Sequence, residues 1–256
     1  MLAATFAAGA ASSSAQTAPQ SASYYELRYF RMRTDRTEQN RRTSEFLSRY
    51  YMPAAKRAGA GPIGLFSASI APGAPFILRL TSYPSMAAIG SVREKLAADA
   101  DYQKALADYN ANPDPGFIRM DSWLLRAFDS FPAIETGPAG LLRPARIFEL
   151  RTYESLNEST VQQKIKMFGA GGEIGIFRAC GMQPVLFGEA VAGANMPHIS
   201  YMLAFENLAA REALWAVFQS NADWQKLRSS PEYSSPSLVI NISNAILASV
   251  AGSDIR

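Results

Sequence analysis

The chain has 256 residues, of which 48% are hydrophobic and 18% charged, and its formal net charge is +3. This composition excludes an intrinsically disordered chain, and the even spread of 25 basic and 22 acidic residues argues against nucleic acid as a partner. One cysteine and one histidine exclude an intrachain disulfide, a cysteine-cluster metal site and a two-histidine zinc centre. We therefore expect a folded chain with no metal site and, beyond its N-terminus, no integral membrane span.

Residues 1–23 have the composition of a leader, because they carry no charge and are rich in alanine and serine. Small residues at Ser13 and Ala15 suit signal-peptidase cleavage after Ala15, which would leave Gln16 first. A positively charged start is missing, so a simple Ala/Ser-rich tail is the alternative. The leader predicts an exported protein, periplasmic or extracellular.

The first half of the chain alternates between strand-like and helix-like patterns. Residues 24–31 are aromatic and alternating, which predicts a strand. A capping-box spacing at Asp35 and Glu38 precedes apolar residues at four-residue intervals, which predicts a helix ending near Ala58 and kinked or restarted at Pro53. The later predicted elements are, in chain order, strands at 63–70 and 76–81, helices at 84–96 and 99–108, and a strand at 120–128. This β-α-β-β-α-β order is that of a ferredoxin-like unit.

The same pattern returns in the second half of the chain at a nearly constant offset. Three collinear pairs of segments match: 25–28 with 148–151, 57–66 with 178–187, and 100–104 with 222–226. A period this long indicates duplication of a whole domain rather than a solenoid. Residues 129–145 are rich in Pro and Gly and are predicted to be a linker. The predicted domains are therefore residues 24–128 and 146–250.

The second half also resembles a known family. Glu-Leu-Arg-Thr-Tyr at 149–153 resembles the opening signature of NIPSNAP proteins, and the likeness continues at 166–168, 171–174, 176–178, 184–189, 201–205 and 224–226. The first half is similar but weaker, with Glu-Leu-Arg-Tyr at 26–29. The resemblance implies a dimeric α+β barrel, in which two ferredoxin-like units pack sheet against sheet. With both units in one chain, we expect the barrel to close within the molecule.

Strand alternation suggests which side chains face the inside of that barrel. If Leu27 and Leu150 point at the helices, the opposite face lines the interior with charged and aromatic side chains: Glu26, Arg28, Glu149, Arg151 and Tyr153. By the same alternation, Glu189 and His198 are predicted to join this surface. Charged anchors in apolar walls are typical of a ligand pocket. The alternative is that Glu and Arg two residues apart simply form buried structural ion pairs.

Two classes of function remain open at this stage. The first is a binding module that holds a small apolar or weakly acidic ligand in the barrel interior. The alternative is a cofactor-independent oxygenase or a haem-dependent enzyme, by analogy with other α+β barrel proteins. The residues show no nucleophile–base set, so catalytic residues stay unassigned and no resident cofactor is predicted. A homo-oligomer is compatible with either function.

Two further groups of residues are expected to be structural. Glu173 and Arg178, five residues apart, are expected to form a local or interdomain salt bridge rather than a catalytic pair. The helices that carry Trp215, Phe218 and Trp224 are predicted to use these rings for packing and not as an aromatic cage.

Overall fold

The computed structural model describes residues 22–35, 37–136 and 146–256. The predicted cleavage site after Ala15 and most of the predicted linker lie outside the described residues. Among the helices in these ranges, none has the length and apolarity that a bilayer crossing requires.

The first unit has the predicted β-α-β-β-α-β order. Its elements are β1 (Tyr24–Arg31), α1 (Thr37–Phe46), a π-helical turn (Leu47–Tyr51), α2 (Met52–Ala58), β2 (Ile63–Ile70), β3 (Phe76–Tyr83), α3 (Met86–Ala98), α4 (Ala100–Asn110) and β4 (Arg119–Ala127). Ser85 and Asp99 cap the N-termini of α3 and α4 with side-chain oxygens. Gly59 ends α2 in the left-handed region, with φ of 108°.

The second unit repeats this order. Its elements are β5 (Ile147–Glu154), α5 (Glu158–Phe168), α6 (Glu173–Ala179), β6 (Gln183–Ala192), β7 (His198–Phe205), α7 (Leu208–Ser220), α8 (Ala222–Ser229), a 3-10 turn (Pro236–Leu238) and β8 (Asn241–Ser249). Asn157, Asn207 and Asn221 cap α5, α7 and α8. Short polar side chains thus set the start of each of these helices.

The eight strands form one closed antiparallel barrel in the order β1-β3-β2-β8-β5-β7-β6-β4. The two units meet along the β2–β8 and β4–β6 pairings, so closure leaves neither sheet with a free edge. This confirms the expected intramolecular α+β barrel of two ferredoxin-like units.

The barrel interior is filled by apolar side chains from both units. They include Tyr25, Leu27, Tyr29, Phe66, Leu78, Leu80, Phe148, Leu150, Leu186, Met202 and Leu247. The rings of Phe66 and Phe148, from different units, lie 5.0 Å apart. The prediction that Leu27 and Leu150 point at the helices is therefore wrong, since both side chains face into the barrel.

The helices cover the outside of the barrel and form a separate core with each sheet. In the first unit, Phe30 and Leu65 pack with Leu47, Met52 and other helix residues. In the second unit, Phe187 and Tyr201 pack with residues of α5, α6 and α7. Both faces of each sheet are thus buried, one in the barrel and one under helices.

A register irregularity in β6 changes how the two units correspond. Leu65 lies opposite Arg79, and Phe187 lies opposite Tyr201 at the matching place in the second unit. The sequence match instead aligns Leu65 with Leu186. The extra residue is accommodated between Pro184 and Leu186, where the β6–β7 register shifts. This is why Phe187 faces the helices while Leu186 faces the barrel.

Candidate functional site

Glu26 lies on the outer face of β1, beneath the helices, and not in the barrel. Its buried carboxylate accepts a hydrogen bond from Arg28 on the same strand and one of 2.6 Å from Arg79 on β3. Arg93 of α3 adds a third, at 3.0 Å. Three guanidinium groups therefore converge on one carboxylate.

This cluster carries more positive than negative charge. Burial alone would raise the pKa of Glu26, but the charges of Arg79 and Arg28 outweigh it and hold that pKa below its usual value. Burial, together with the nearby charge of Arg79, lowers the pKa of Arg28. The buried Nε atoms of Arg28 and Arg79 have no acceptor within the described part of the chain. The cluster can therefore receive a further anionic group.

A cavity of about 410 Å³ opens beside these arginines, and we call it the unit 1 pocket. Tyr51, Tyr83 and Tyr102 share its lining with Glu26 and the three arginines. The π-helical turn ends at Tyr51, just before Pro53, which has no N–H to donate to the carbonyl one turn back. This confirms that the helix changes at Pro53, as expected.

The Arg79 guanidinium lies 3.9 Å above the Tyr51 ring, on the pocket side of this turn's last residue.

In the second unit, Glu149 occupies the matching position on β5. Its side chain is fully buried, and it accepts hydrogen bonds from Arg151 at 2.9 Å and Arg211 of α7 at 2.6 and 3.0 Å. Trp215 Nε1 donates a fourth, at 2.7 Å. Burial would raise the pKa of Glu149, but the Arg211 hydrogen bond and the Arg151 charge outweigh it and lower that pKa. This carboxylate is fully satisfied.

A second buried ion pair lies close by, between α5 and α6. Lys164 Nζ is 2.7 Å from the Glu173 carboxylate, and both side chains are almost fully buried. Burial raises the pKa of Glu173, and the Lys164 charge offsets this only in part. Lys164 Nζ also lies 4.4 Å from the Phe168 ring centroid. The expected Glu173–Arg178 salt bridge is wrong, because Arg178 pairs with Glu135.

Beside this pair is a cavity of about 550 Å³, which we call the unit 2 pocket. It is equivalent to the unit 1 pocket. Arg151 lines it from the first strand of unit 2, and Arg28 lines the unit 1 pocket from the matching position on β1. Trp215 and Trp224 hold the positions on α7 and α8 that Arg93 and Tyr102 hold on α3 and α4. A pocket between sheet and helices therefore occurs at the same place in each unit.

The structure divides the predicted site residues among several places. Glu26 and Arg28 belong to the unit 1 pocket, and Arg151 and Tyr153 to the unit 2 pocket beside Glu149. The prediction that these five line the barrel interior is wrong, because they face the helices. The cause is the inverted assignment of strand faces described above.

Glu189 and His198 belong to neither group. Glu189 is half-buried under α5, where its carboxylate accepts a 2.6 Å hydrogen bond from Gln162, so it too lies outside the barrel. His198 is fully buried at one end of the barrel interior, with its ring 5.1 Å from the Trp123 ring. Its Nδ1 lies 3.1 Å from the Asn195 carbonyl oxygen. Burial lowers the pKa of His198, which favours the neutral ring.

Sequence reasoning placed none of the helix residues that complete both pockets in a site, and it assigned Trp215 and Trp224 to packing only, a role that they also have against Phe218. These helix residues are Tyr51, Arg93, Tyr102, Lys164, Arg211, Trp215 and Trp224. One usable signal was the recurrence of α4 in α8, because Tyr102 and Trp224 lie at the same place in these matching segments.

Comparison with known proteins supports the fold and the family resemblance of the second unit. Residues 148–253 match the NIPSNAP family model, and no curated protein matches the chain significantly. A candidate monooxygenase from Lactobacillus acidophilus is similar with a TM-score of 0.58 and 12% identity, over 90% of this chain and 95% of that chain. A candidate monooxygenase from Fusobacterium nucleatum is similar with a TM-score of 0.57 and 8% identity, over 90% and 93%.

An anthrone oxidase-like protein is similar with a TM-score of 0.50 and 9% identity, over 91% of this chain and 93% of that chain. At these identities the likeness establishes a shared architecture and no shared chemistry. The family resemblance read in the second half is confirmed as a match to the NIPSNAP family model over residues 148–253, and these residues form half of an eight-stranded α+β barrel.

Proposed function

We propose that this protein binds a small organic anion in the unit 1 pocket. The weakly acidic ligand expected from the sequence is retained, but its place moves from the barrel interior to the space between sheet and helices. We also propose that the first unit is a divergent copy of the NIPSNAP domain. Its support is the common element order and the Glu-Leu-Arg that opens both first strands.

One observation carries the binding proposal: three arginines surround the single carboxylate of Glu26 in a pocket with no other charged lining residue. Two positive charges are therefore left without an anionic partner in the lining. The unused Nε donors of Arg28 and Arg79 also support an anionic ligand, because a buried donor without an acceptor costs about 1–3 kcal/mol. A ligand carboxylate would supply both the charge and the acceptors.

Succinate is a suitable test ligand, since its two carboxylates equal the two excess charges. Arg93 is the residue to change, because its side chain is 62% exposed and its loss should leave the fold intact. We expect Arg93→Gln to weaken succinate binding about tenfold, the lower end of the range for a hydrogen bond to a charged group. Isothermal titration calorimetry at constant ionic strength measures this directly.

Two controls make the measurement specific. Arg41→Gln removes an exposed arginine of α1 that pairs with Glu38 and Glu45, and it should leave succinate binding unchanged. Succinamide, the neutral analogue, should not bind. Equal affinity for succinate and succinamide would contradict an anion site, as would an Arg93→Gln variant that binds succinate as tightly as the wild type.

A cofactor-independent oxygenase is the second candidate, favoured by the fold shared with the candidate monooxygenases and the anthrone oxidase-like protein over 90% or more of this chain. The reaction to test is anthrone with O₂ to anthraquinone and water. If this activity is present, the purified protein should consume O₂ in step with anthraquinone formation, followed by an oxygen electrode and absorbance. If the rate of anthraquinone formation with protein equals the rate in buffer alone, this reaction is excluded.

A haem held by histidine does not fit this structure. His198 is the single histidine of the chain, and it is fully buried at the barrel end. Its ring is enclosed by Trp123 and the Asn195 carbonyl, away from the lining of both pockets. The haem-dependent alternative therefore has no histidine ligand at either pocket.

A further inference from the structure

The two equivalent pockets of this chain differ in the chemistry of their walls. On the third strand of the first unit, Arg79 lies opposite Arg28; the residue at the matching position in the second unit, opposite Arg151, is Tyr201. On the following helix, Arg93 is replaced by Trp215, and in the next helix Tyr102 is replaced by Trp224. At these three positions the second unit thus has a phenol and two indoles where the first has two guanidinium groups and a phenol, and the two indoles line the unit 2 pocket.

Aromatic rings form most of the apolar wall of the unit 2 pocket. The rings of Phe218 and Trp224 are 4.5 Å apart, and Trp215 lies edge-on to Phe218 at 5.5 Å. The Arg151 guanidinium sits 4.6 Å above the Trp215 ring. Offset and edge-to-face contacts of this kind favour a further planar ring, since aromatic pairs gain about 0.5–1.5 kcal/mol beyond burial alone.

The same pocket holds a donor and a cation that the protein does not use. Trp224 Nε1 is buried and has no acceptor among the described residues. Arg228 lies one turn further along α8, at the exposed rim of the pocket, and forms no ion pair with any residue in the described ranges. By contrast, Arg211 is already bonded to Glu149, and Lys164 to Glu173. Glu212 also belongs to the lining, and its carboxylate forms no ion pair with Arg228 in the described ranges. A ligand acceptor bearing negative charge would satisfy both free groups.

We infer that the unit 2 pocket is a second binding site, which takes a planar aromatic carboxylate. The ring of the ligand packs against Trp215, Phe218 and Trp224. The ligand carboxylate accepts a hydrogen bond from Trp224 Nε1 and faces Arg228. This site is separate from the anion site of unit 1 and does not depend on it. One chain therefore binds two ligands of different classes in two pockets of common architecture.

The test uses 2-naphthoate and the full chain, with binding measured by isothermal titration calorimetry. Trp224→Phe keeps an aromatic ring and removes the N–H, and Arg228→Gln removes the exposed charge. We expect each to weaken 2-naphthoate binding about five- to tenfold, with succinate binding unchanged. Arg93→Gln, the matched change at the unit 1 pocket, should leave 2-naphthoate binding unchanged. The neutral 2-naphthalenemethanol should bind more weakly and not respond to Arg228→Gln.

Two results would overturn the inference. One is a wild-type protein that does not bind 2-naphthoate. The other is binding that is lost in Arg93→Gln and retained in both Trp224→Phe and Arg228→Gln, because aromatic acids would then occupy the unit 1 pocket. Arg228→Gln decides the matter if Trp224→Phe proves unstable, since Arg228 is exposed and its replacement should not disturb the core.

Discussion

Replacing Glu149 by Gln should lower the free energy of unfolding by about 3–5 kcal/mol, the usual effect of removing one partner from a buried ion pair. The carboxylate is fully buried, and the side chains of Arg151 and Arg211 are only 13% and 22% exposed. A neutral amide leaves both guanidinium groups without a counter-charge under α7. Urea unfolding of wild type and variant at pH 7 measures the difference.

The effect should depend on pH in a defined direction. Because the pKa of Glu149 is lowered in the folded protein, its contribution to stability is present above its ordinary pKa of 4.5. That contribution is lost as the pH falls through the folded-state pKa. The difference between wild type and Glu149→Gln should therefore be constant near neutral pH and shrink in acid.

Glu38→Gln is the control for this experiment. Glu38 pairs with Arg41 on the exposed surface of α1, where such a pair contributes about 0–1 kcal/mol. If Glu149→Gln cost no more than Glu38→Gln, the carboxylate would not be the centre of a buried charge cluster, and the packing of α7 on β5 would need another explanation.

The second large effect is expected at the Lys164–Glu173 pair, and it should reverse when both partners change. Lys164→Met alone leaves the Glu173 carboxylate buried without its cation, and we expect a loss of about 3–5 kcal/mol. The double variant Lys164→Met, Glu173→Leu removes both charges from an apolar site. It should be as stable as the wild type or more stable by about 1–4 kcal/mol, again by urea unfolding.

The single variant also has a distinct pH profile. Burial raises the pKa of Glu173, so protonation of this group stabilises the fold below its ordinary pKa of 4.5, and this stabilisation is lost as the pH rises through the folded-state pKa. Without Lys164 the pKa should rise further, and Lys164→Met should therefore recover stability in mild acid. A double variant no more stable than Lys164→Met alone would contradict the prediction, because removing the unpaired carboxylate would then recover no stability.

The amino-acid sequence by itself determined the order of the elements and the resemblance of the second half to the NIPSNAP family. Strand alternation, the Pro-Gly turns and the recurrence of 100–104 at 222–226 are local signals, and they predict local structure without knowledge of the fold. The residues of the unit 2 signature were found for the same reason: Glu149, Arg151 and Tyr153 stand together in one strand.

Only the tertiary structure decided which face of each strand points into the barrel. Alternation separates two faces, and it identifies the inner one only when the other is polar and solvated. Here both faces are buried, since the barrel takes Leu27 and Leu150 while the helices cover Glu26 and Glu149. The charged face was therefore assigned to the wrong side.

Pairing across elements was equally beyond the sequence. Glu173 binds Lys164 on α5 and not Arg178 on its own helix, and Arg93 reaches Glu26 from α3. Such contacts depend on how each helix lies on its sheet, which no spacing along the chain encodes. The pockets arise there because a barrel packed with apolar side chains leaves room for charged groups and ligands only in the layer between its strands and its helices.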